Sequence, residues 1–193
     1  MKVAVVKYNA GNIQSVRIAL ERLGLIPQVT NDPLVITRAD KVIFPGVGEA
    51  SSAMAYLKAR ALDKLLLDLK MPVLGICLGL QLMCQHSDEN NTECLGLFDS
   101  WVRRFPPQKK VPHMGWNTIT NLKGPLFKNI ADRSYVYFVH SYFAERTKAA
   151  SAMTDYIVDF SSALEKDNYF AVQFHPEKSG PVGEKILKNF LDL

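Results

Sequence analysis

The sequence predicts an α/β protein with a doubly wound, mixed, mostly parallel sheet and an additional antiparallel strand region in its second half. In the first half, short apolar runs alternate with helix-forming segments, which is the pattern of strands joined by helical crossovers. In the second half, segments rich in aromatic and β-branched residues favour antiparallel strands. Turns follow three apolar runs, at Lys7–Asn12, Pro45–Gly48 and Cys77–Gly79. Since ligands of doubly wound sheets bind beyond the carboxyl ends of strands, these turns are expected to surround one site.

Each predicted strand of the first half is an apolar run, and each predicted helix has apolar residues near a helical spacing. The strands are Val3–Val6, Ile26–Thr30, Lys41–Phe44 and Pro72–Ile76. The helices are Ile13–Leu23, Ala50–Leu69 as two short helices, and the stretch from Cys77 to about His86. Asn12 is predicted to cap the first helix, and Gly24 suits the end of it. Asn31, Asp32 and Pro33 are expected to close the second strand as a turn.

The second half is predicted to consist mainly of strands. Ser87–Thr92 is predicted to be a polar loop, and Pro106–Gly115 is too rich in proline for a regular element. The predicted strands are Trp101–Phe105, Trp116–Thr120, Tyr135–Tyr142, Ala149–Met153 and Tyr169–Phe174. A closing helix is predicted over Pro181–Phe190, with glycine and proline marking its start.

The composition indicates one globular domain over residues 1–193, with 48% hydrophobic and 22% charged residues. A net charge of +4 without a dense basic run does not favour nucleic-acid binding. No apolar run reaches membrane-spanning length, and the N-terminus lacks the layout of a signal peptide. Three cysteines without a disulfide framework suit a reducing cytosol, so a cytoplasmic protein is expected. No C-x-x-C or histidine-rich cluster suggests a metal site.

The clearest chemical signature lies in Met71–Gln85. The apolar run Pro72–Ile76 leads into Cys77, with Gly75 and Gly79 two residues before and after it. This spacing is the nucleophile elbow, with cysteine in place of serine. Such a turn places the sulfur at a helix N-terminus, where the dipole and free N–H groups stabilise the nucleophilic thiolate. A buried structural cysteine is the alternative, but both glycines, the strand and the helix agree with the elbow.

A cysteine nucleophile needs a base, and His175 has the best context of the four histidines. It lies at a strand end before Pro176, and proline keeps the preceding residue extended. Residues two apart in an extended segment face the same way, so Glu177 would lie beside His175. A carboxylate there fixes the tautomer and raises the basicity. Cys77, His175 and Glu177 therefore suit a thiol acyl-transfer triad, although a His-x-Glu pair also occurs at ordinary surface strand ends.

Several segments resemble a known family. GICLGLQLM, FPGVG and QFHPEKS are similar to the triad-type class I glutamine amidotransferases, for which G-x-C-L-G-x-Q with H-P-E is specific. PHMGWN, YFVHSY and YNAGN narrow the resemblance to the glutaminase subunits of imidazole glycerol phosphate synthase, in histidine biosynthesis. The resemblance extends from Val3 to the closing helix. It implies the flavodoxin-like fold of these amidotransferases, and it implies no metal or organic cofactor.

The resemblance also implies a role for each matching residue. Cys77 would attack the side-chain amide of L-glutamine, and His175 would relay protons, oriented by Glu177. The implied oxyanion-hole residues are Val47, Gly48 and Leu78, the last through its N–H. The implied substrate-binding residues are Gly46, Gln81, His140, Ser141 and Tyr142. From the residues alone, the favoured interpretation of His140 is a core histidine on a strand.

A partner is implied as well. The ammonia would pass to a separate cyclase subunit, a TIM barrel, in a heterodimer that makes imidazole glycerol phosphate and AICAR. The implied interface residues are Asn12, Pro112, His113, Met114, Trp116 and Asn117. Exposed apolar residues in a loop often mark a partner surface. Without the resemblance, Trp116 could equally begin a buried strand.

Two positions depart from the family pattern, and two other interpretations stay open. Many members carry an acidic residue in place of Lys7 and an aromatic residue in place of Ala50. A γ-glutamyl hydrolase, or the glutaminase of a different pathway, would share the H-P-E spacing but not PHMGWN. A catalytically inactive interaction module is a different class, and the intact Cys77, His175 and Glu177 argue against it.

Overall fold

The computed structural model describes residues 1–9 and 11–193; Ala10, in the predicted turn Lys7–Asn12, lies outside them. The strands are β1 Val3–Val6, β2 Gln28–Thr30, β3 Lys41–Gly46, β4 Val73–Cys77, β5 His86–Ser87, β6 Thr92–Glu93, β7 Trp101–Arg104, β8 His113–Ile119, β9 Ser134–His140, β10 Tyr142–Ala144, β11 Ala150–Tyr156, β12 Val158–Lys166 and β13 Tyr169–Val172. The helices are α1 Ile13–Arg22, α2 Pro33–Thr37, α3 Ala50–Ala59, α4 Leu62–Asp68, α5 Leu78–Met83 and α6 Gly180–Leu191.

The main sheet has parallel strands on one side and mostly antiparallel strands on the other. Its order is β2-β1-β3-β4-β13-β12-β10-β7-β5-β6, and β11 pairs with β12 off this path. Neighbours from β2 to β13 are parallel, whereas β13, β12, β10 and β7 pair antiparallel in turn. Strands β8 and β9 form a separate antiparallel pair. The predicted α/β fold with a mixed sheet and an antiparallel second half is confirmed.

The carboxyl ends of β3, β4 and β13 lie side by side in the sheet. Gly46 pairs with Cys77 at the end of β3 and β4, and Val172 of β13 pairs with Ile76. The residues that follow these strands therefore meet at one edge. This is the place where a doubly wound sheet binds its ligands.

Alternate residues of the parallel strands supply two cores, one on each face of the sheet. Val5 and Ile43 belong to a buried cluster that also includes residues of α1 and α6. Val6 and Phe44 belong to a second cluster, which includes residues of α3, α4 and α5. Because both faces are covered by helices, the central strands are apolar throughout, as the sequence predicted.

Two helices differ from the sequence prediction. The predicted turn at Asn31–Pro33 is the start of α2, because Asp32 Oδ1 accepts a hydrogen bond from Leu34 N–H at 2.8 Å and Pro33 takes the first helical position. Helix α5 ends at Met83 rather than near His86. Cys84 turns to an extended conformation there, and Gln85 N–H donates to the Ser100 carbonyl oxygen at 3.0 Å.

Three strand regions differ as well. The predicted polar loop Ser87–Thr92 is closed by pairing of β5 with β6. Strand β8 begins at His113, inside the segment predicted to be irregular, because it pairs residue by residue with β9. Strand β12 was not predicted, since its buried Ser161 and Ser162 interrupt the apolar pattern. Among the residues described, no helix is both long and apolar enough to span a bilayer.

Candidate active site

Cys77 lies on the predicted sharp turn between β4 and α5. Its φ of 55° and ψ of −106° form a strained backbone conformation for a residue with a side chain. A Cβ atom at Gly79 would lie 1.9 Å from the Phe44 carbonyl oxygen, and one at Gly75 would lie 2.7 Å from Met83 Sδ. The turn therefore requires glycine at position 79, and a side chain at position 75 would displace the end of Met83. It places the sulfur directly before the first free N–H groups of α5.

His175 and Glu177 lie beside each other immediately after β13. His175 Nδ1 is 2.7 Å from Glu177 Oε1, and both side chains are fully buried. The His175 N–H donates to the Tyr137 carbonyl oxygen, and the His175 carbonyl oxygen accepts from Ser179 Oγ. An ionised carboxylate only accepts hydrogen bonds, so Nδ1 carries a proton. Nε2 is then the ring atom that can exchange a proton with a substrate.

Cys77 and His175 meet because β4 and β13 are neighbours in the sheet. Burial alone lowers the pKa of His175, but the nearby Cys77 and Glu177 raise that pKa to about 10. This direction is expected where a thiolate and an imidazolium stabilise each other. Cys77 Sγ lies 3.9 Å from the Val139 carbonyl oxygen, and His175 Nε2 has no hydrogen-bond partner among the described residues. Cys77 and His175 are thus close enough for their charges to interact.

A cavity of about 270 Å³ opens beside Cys77. It is close to the lower end of the range for small-molecule sites, ~300–1,000 Å³, which suits a ligand of amino-acid size. Its lining consists of Val47, Gly48, Cys77, Leu78, Gln81, Glu89, Pro112, Val139, His140, Ser141 and Tyr142. The structure thus brings together at one cavity the nucleophile, the predicted oxyanion-hole residues and most of the predicted substrate-binding residues. Gly46 is an exception, because it is buried at the end of β3 and the chain emerges only at Val47.

Gln81 and the segment His140–Tyr142 are hydrogen-bonded to each other. Gln81 Nε2 donates to the Tyr142 carbonyl oxygen at 2.9 Å and to Gln173 Oε1 at 3.1 Å. His140 lines the cavity but its ring is buried, with Nδ1 2.7 Å from the same Tyr142 oxygen and Nε2 3.0 Å from His113 Nδ1. Burial lowers the pKa of His140 to about 3 and that of His113 to about 4. Both rings are therefore neutral near pH 7.

The sequence prediction missed two residues of the site. Gln173 is fully buried, and its Nε2 lies 3.6 Å from Cys77 Sγ. The alternation that paired His175 with Glu177 also includes Gln173, so the signal was present in the sequence. Glu89 lines the cavity, and its Oε2 accepts from Ala50 N–H at 2.7 Å. Glu89 lies within the polar stretch Ser87–Thr92, and nothing in its local sequence marks it.

Asn12 differs from its predicted role as a helix cap. Its φ of 70° is left-handed, and no side-chain cap bond forms at α1 within the described residues. Its Nδ2 instead donates to Glu177 Oε1 and lies 3.3 Å from His175 Nδ1. The left-handed backbone directs this side chain toward the turn after β13. Asn12 therefore supports the His175–Glu177 pair, and its predicted place in a partner interface stays a prediction.

The other predicted interface residues fall into two groups. Met114 and Trp116 are 57% and 55% exposed on β8, as expected of a partner surface. Pro112 and Asn117 are half-buried, and Pro112 lines the cavity. His113 differs from them, because its ring is buried and stacks on Tyr156 at a centroid distance of 3.9 Å, and its place in a partner interface stays a prediction. Alternation along β8 turns His113 inward and its neighbour Met114 outward.

No group of histidine, cysteine, aspartate or glutamate side chains suited to hold a metal ion occurs in residues 1–9 and 11–193. The Cys77 thiol lines the cavity together with the Gln81 amide and the Glu89 carboxylate, and the buried His175–Glu177 pair lies outside this lining. This set can carry out nucleophilic acyl transfer with general acid–base help. An elbow cysteine with a neighbouring imidazole and an orienting carboxylate is the arrangement found in cysteine-dependent acyl-transfer enzymes.

Sequence comparison assigns the family. The chain matches the model described as glutamine amidotransferase class-I over residues 5–193. The chain belongs to the class I glutamine amidotransferases, which are enzymes. Over 196 residues it is 59% identical to imidazole glycerol phosphate synthase subunit HisH of Bacteroides fragilis strain YCH46 and 44% identical to that of Yersinia pestis, with all of each chain covered. Within the family it therefore groups with the HisH subunits, and the resemblance predicted from the motifs is confirmed.

Solved structures agree on the fold. One structure of a glutamine amidotransferase aligns with a TM-score of 0.77 and 17% identity, covering 98% of this chain and 97% of that chain. A structure of PurLQS from Thermotoga maritima aligns with a TM-score of 0.71 and 17% identity, covering 99% and 97%. At this level of identity, the alignments establish a common fold and nothing about substrate.

Proposed function

We propose that this chain is the glutaminase subunit of an imidazole glycerol phosphate synthase and hydrolyses L-glutamine to glutamate and ammonia. The observation that carries the proposal is the meeting of a strained elbow cysteine, Cys77, with the buried His175–Glu177 pair at a cavity of amino-acid size. A thiolate attacks a carboxamide readily only when a nearby acid protonates the departing nitrogen. His175, whose pKa is raised to about 10, can hold that proton near neutral pH.

The reaction proceeds in two halves. Cys77 Sγ bonds to the side-chain carbonyl carbon of glutamine, and His175 Nε2 gives its proton to the amide nitrogen. The C–N bond then breaks, which releases ammonia and leaves a thioester. In the second half His175 takes a proton from water, the water oxygen attacks the thioester, and glutamate leaves as Cys77 returns to thiolate. Glu177 stays ionised and orients the ring throughout.

The negative charge that develops on the carbonyl oxygen needs donors. The N–H of Leu78 at the start of α5 and the Val47–Gly48 loop both line the cavity beside Cys77. Gly48 has a φ of 121°, which side chains rarely tolerate, so this loop can rotate a peptide unit at small cost. Two aligned N–H donors stabilise such a transition state by several kcal/mol. Rotation of this loop would present or withdraw one of them.

The cavity also offers groups for the amino-acid end of glutamine. Glu89 lies in its wall, and one carboxylate oxygen is held by the Ala50 N–H. A carboxylate at this place suits the α-ammonium group of the substrate. Burial raises the pKa of Glu89, and a bound ammonium would oppose that shift. Ser141 and Tyr142 supply hydroxyls for the α-carboxylate.

The partner of this glutaminase is proposed to be a cyclase subunit with a TIM-barrel fold in a heterodimer. Support comes from β8 and β9, where Trp116 pairs with Tyr137 and Met114 pairs with Val139, a cavity-lining residue. Met114, Trp116 and the 61% exposed Tyr135 form an exposed apolar strip that begins beside the cavity. An interface there would cover the cavity mouth and receive ammonia before it reaches water. The proposed location of the complex is the cytoplasm.

The function is tested by measuring glutamate release from L-glutamine, with and without a matching cyclase. Cys77→Ala should abolish release in both cases, because it removes the nucleophile. Cys94→Ala is the matched control, since Cys94 lies outside the cavity lining, and it should retain wild-type release. Equal glutamate release by Cys77→Ala and wild type would contradict the proposed function.

A further inference from the structure

Gln173 contacts the reacting sulfur from the side of β13. Its side chain is fully buried, its Nε2 lies 3.6 Å from Cys77 Sγ, and its Oε1 is 3.1 Å from Gln81 Nε2. Gln173 does not line the cavity, so it contacts the nucleophile rather than the substrate space. We propose that Gln173 is a further catalytic residue that donates a hydrogen bond to the Cys77 thiolate and holds the sulfur in its attacking position. The proposal rests on Cys77 being the nucleophile of the proposed glutaminase.

The orientation of the Gln173 amide follows from its neighbours. The Tyr142 carbonyl oxygen can only accept, so Gln81 must present its NH₂ group to it. The same NH₂ group faces Gln173, which must therefore present Oε1. The NH₂ group of Gln173 is then the end that points to the sulfur. A reversed amide would place two donors against each other and an oxygen against a thiolate.

A second chain of hydrogen bonds fixes the Tyr142 oxygen itself. His140 Nδ1 donates to that oxygen, so neutral His140 must accept at Nε2 from His113 Nδ1–H. His113 Nε2 then accepts from Asn117 Nδ2, which lies 3.3 Å away.

The far end of the chain gives an independent check. Asn117 Oδ1 accepts from the Thr118 N–H at 2.8 Å, so its amide orientation is set without reference to the histidines. The Tyr142 end and the Asn117 end of the network thus require the same protonated ring nitrogens on His113 and His140. A single network leads from β8 to the nucleophile.

The donor acts on the charged form of the sulfur. A thiolate only accepts hydrogen bonds, and an N–H group directed at it favours the charged form over the neutral thiol. The Val139 carbonyl oxygen, 3.9 Å from Sγ, favours the protonated thiol instead. Gln173, the His175 imidazolium and the free N–H groups at the start of α5 offset it. Removing Gln173 Nε2 should therefore shift the sulfur toward the thiol without altering the substrate cavity.

The test is the pH dependence of Cys77 alkylation by iodoacetamide in the full chain. Gln173→Met keeps the approximate volume and loses the donor, and Gln173→Glu keeps an acceptor for Gln81 but places an oxygen at the sulfur. The pH midpoint of alkylation should rise by about one unit in Gln173→Met, a tenfold change that equals about 1.4 kcal/mol. It should rise further in Gln173→Glu. With the cyclase bound, kcat should fall by about tenfold while the KM for glutamine changes little.

A purely structural role predicts a different pattern. Asn189 is another buried amide, and its Nδ2 donates to the carbonyl oxygens of Leu126 and Lys128, away from the site. Asn189→Leu should lower the melting temperature without moving the alkylation midpoint. Folded Gln173 variants that behave like Asn189→Leu, with an unmoved midpoint, would overturn the proposal.

A measurement on the unaltered chain does not depend on how the variants fold. When the glutamine residues of the protein are labelled with ¹⁵N, the chemical shift of the Gln173 side-chain NH₂ group should change with pH. Its midpoint should equal the midpoint of Cys77 alkylation. The NH₂ resonance should also shift when Cys77 is alkylated. A resonance that responds to neither would overturn the proposal. Failure of glutamine hydrolysis with normal titration would instead count against the glutaminase function alone.

Discussion

One carboxylate oxygen of Glu177 accepts from two donors. Oε1 is bonded to His175 Nδ1 and to Asn12 Nδ2, while Oε2 is buried without a hydrogen-bond partner among the described residues. Glu177 therefore holds the His175 ring through Nδ1, whereas Nε2 is the atom proposed to exchange protons. Under the proposed mechanism, Glu177 therefore acts on the orientation and charge of His175 and does not exchange protons with glutamine.

Replacement of the two residues should have unequal effects. With the cyclase bound, Glu177→Gln should lower kcat by about 10- to 100-fold, because the amide still fills the site but stabilises the imidazolium less. His175→Ala should lower kcat by about 10³- to 10⁴-fold, because it removes the general acid and base itself. Steady-state glutamate release measures both. Equal or reversed losses in folded variants would contradict the assigned roles.

The three cysteines should differ sharply in reactivity. Burial raises the pKa of Cys84 well above its ordinary value and raises that of Cys94 to about 12. Both thiols stay protonated near neutral pH and react slowly. A glutamine-like electrophile should therefore label Cys77 alone, as peptide mapping by mass spectrometry would show. Cys77→Ser should leave the chain unlabelled, and labelling centred on Cys84 or Cys94 would contradict the elbow assignment.

Local sequence patterns predicted the candidate nucleophile and the candidate base. Cys77 is marked by two glycines and His175 by the following Pro-Glu, and both signals are local. The contacts that Asn12 and His113 make were not predicted, because their partners lie far along the chain. A positive φ redirects Asn12 to Glu177, and pairing of β8 with β9 turns His113 into the interior. Neither the sign of φ nor the strand register can be derived from the local sequence.

Among the elements, β8 exposes Met114 and Trp116 on one face and buries His113 on the other, where His113 contacts His140. His113 and His140 stay neutral in the fold because burial lowers their pKa values to about 4 and 3. In the unfolded chain their pKa returns to about 6.5. As pH falls below about 6.5, the unfolded state binds protons that the folded state does not. Each histidine therefore lowers the free energy of unfolding by at most about 1.4 kcal/mol per pH unit.

His113→Phe should reduce this acid sensitivity. The phenyl ring keeps the stacking contacts with Tyr156 and Phe138, but it has no proton to gain. Urea unfolding at pH 7 and pH 5 should show a smaller loss of stability in the variant than in wild type. His86→Phe is the matched control on β5, away from the pair, and should keep the wild-type difference. An identical pH 7-to-5 loss in His113→Phe and wild type would show that His113 does not titrate on unfolding.

Element types followed from the sequence where the pattern was strong, in the parallel strands and in α1, α3, α4 and α6. The shorter elements depend on tertiary pairing. Strand β12 contains buried serines that an apolar pattern cannot reveal, and β5 and β6 exist only because they pair with each other. Helix α5 ends where the chain pairs with Ser100, a contact set by the later part of the chain.

For the whole molecule, the isolated chain should hydrolyse glutamine poorly. The Val47–Gly48 loop can withdraw an oxyanion donor, because Gly48 has a φ of 121°. Addition of the cyclase with its phosphorylated ligand should raise glutamate release by orders of magnitude. Full activity of the isolated chain would contradict this switch.

Trp116→Ala should weaken assembly with the cyclase or activation by it more than it weakens folding, because an exposed tryptophan on a partner face is a strong anchor. Titration calorimetry and thermal unfolding separate the two effects. Trp101→Ala is the matched control, since Trp101 is 41% exposed on β7 and packs with Arg103 instead. Unchanged affinity and unchanged activation in folded Trp116→Ala would place the interface elsewhere.

The insertion of β13 between β4 and β12 has a consequence for how the protein is made. About 100 residues separate Cys77 from His175, so at 5–20 residues per second a ribosome adds the histidine roughly 5–20 s after the cysteine. Throughout that interval the thiol has no base, no orienting carboxylate and no amide donor. Under the proposed mechanism, a nascent chain therefore cannot hydrolyse glutamine before β13 and His175 are made. The chain becomes able to release ammonia only after β13 has taken its place between β4 and β12.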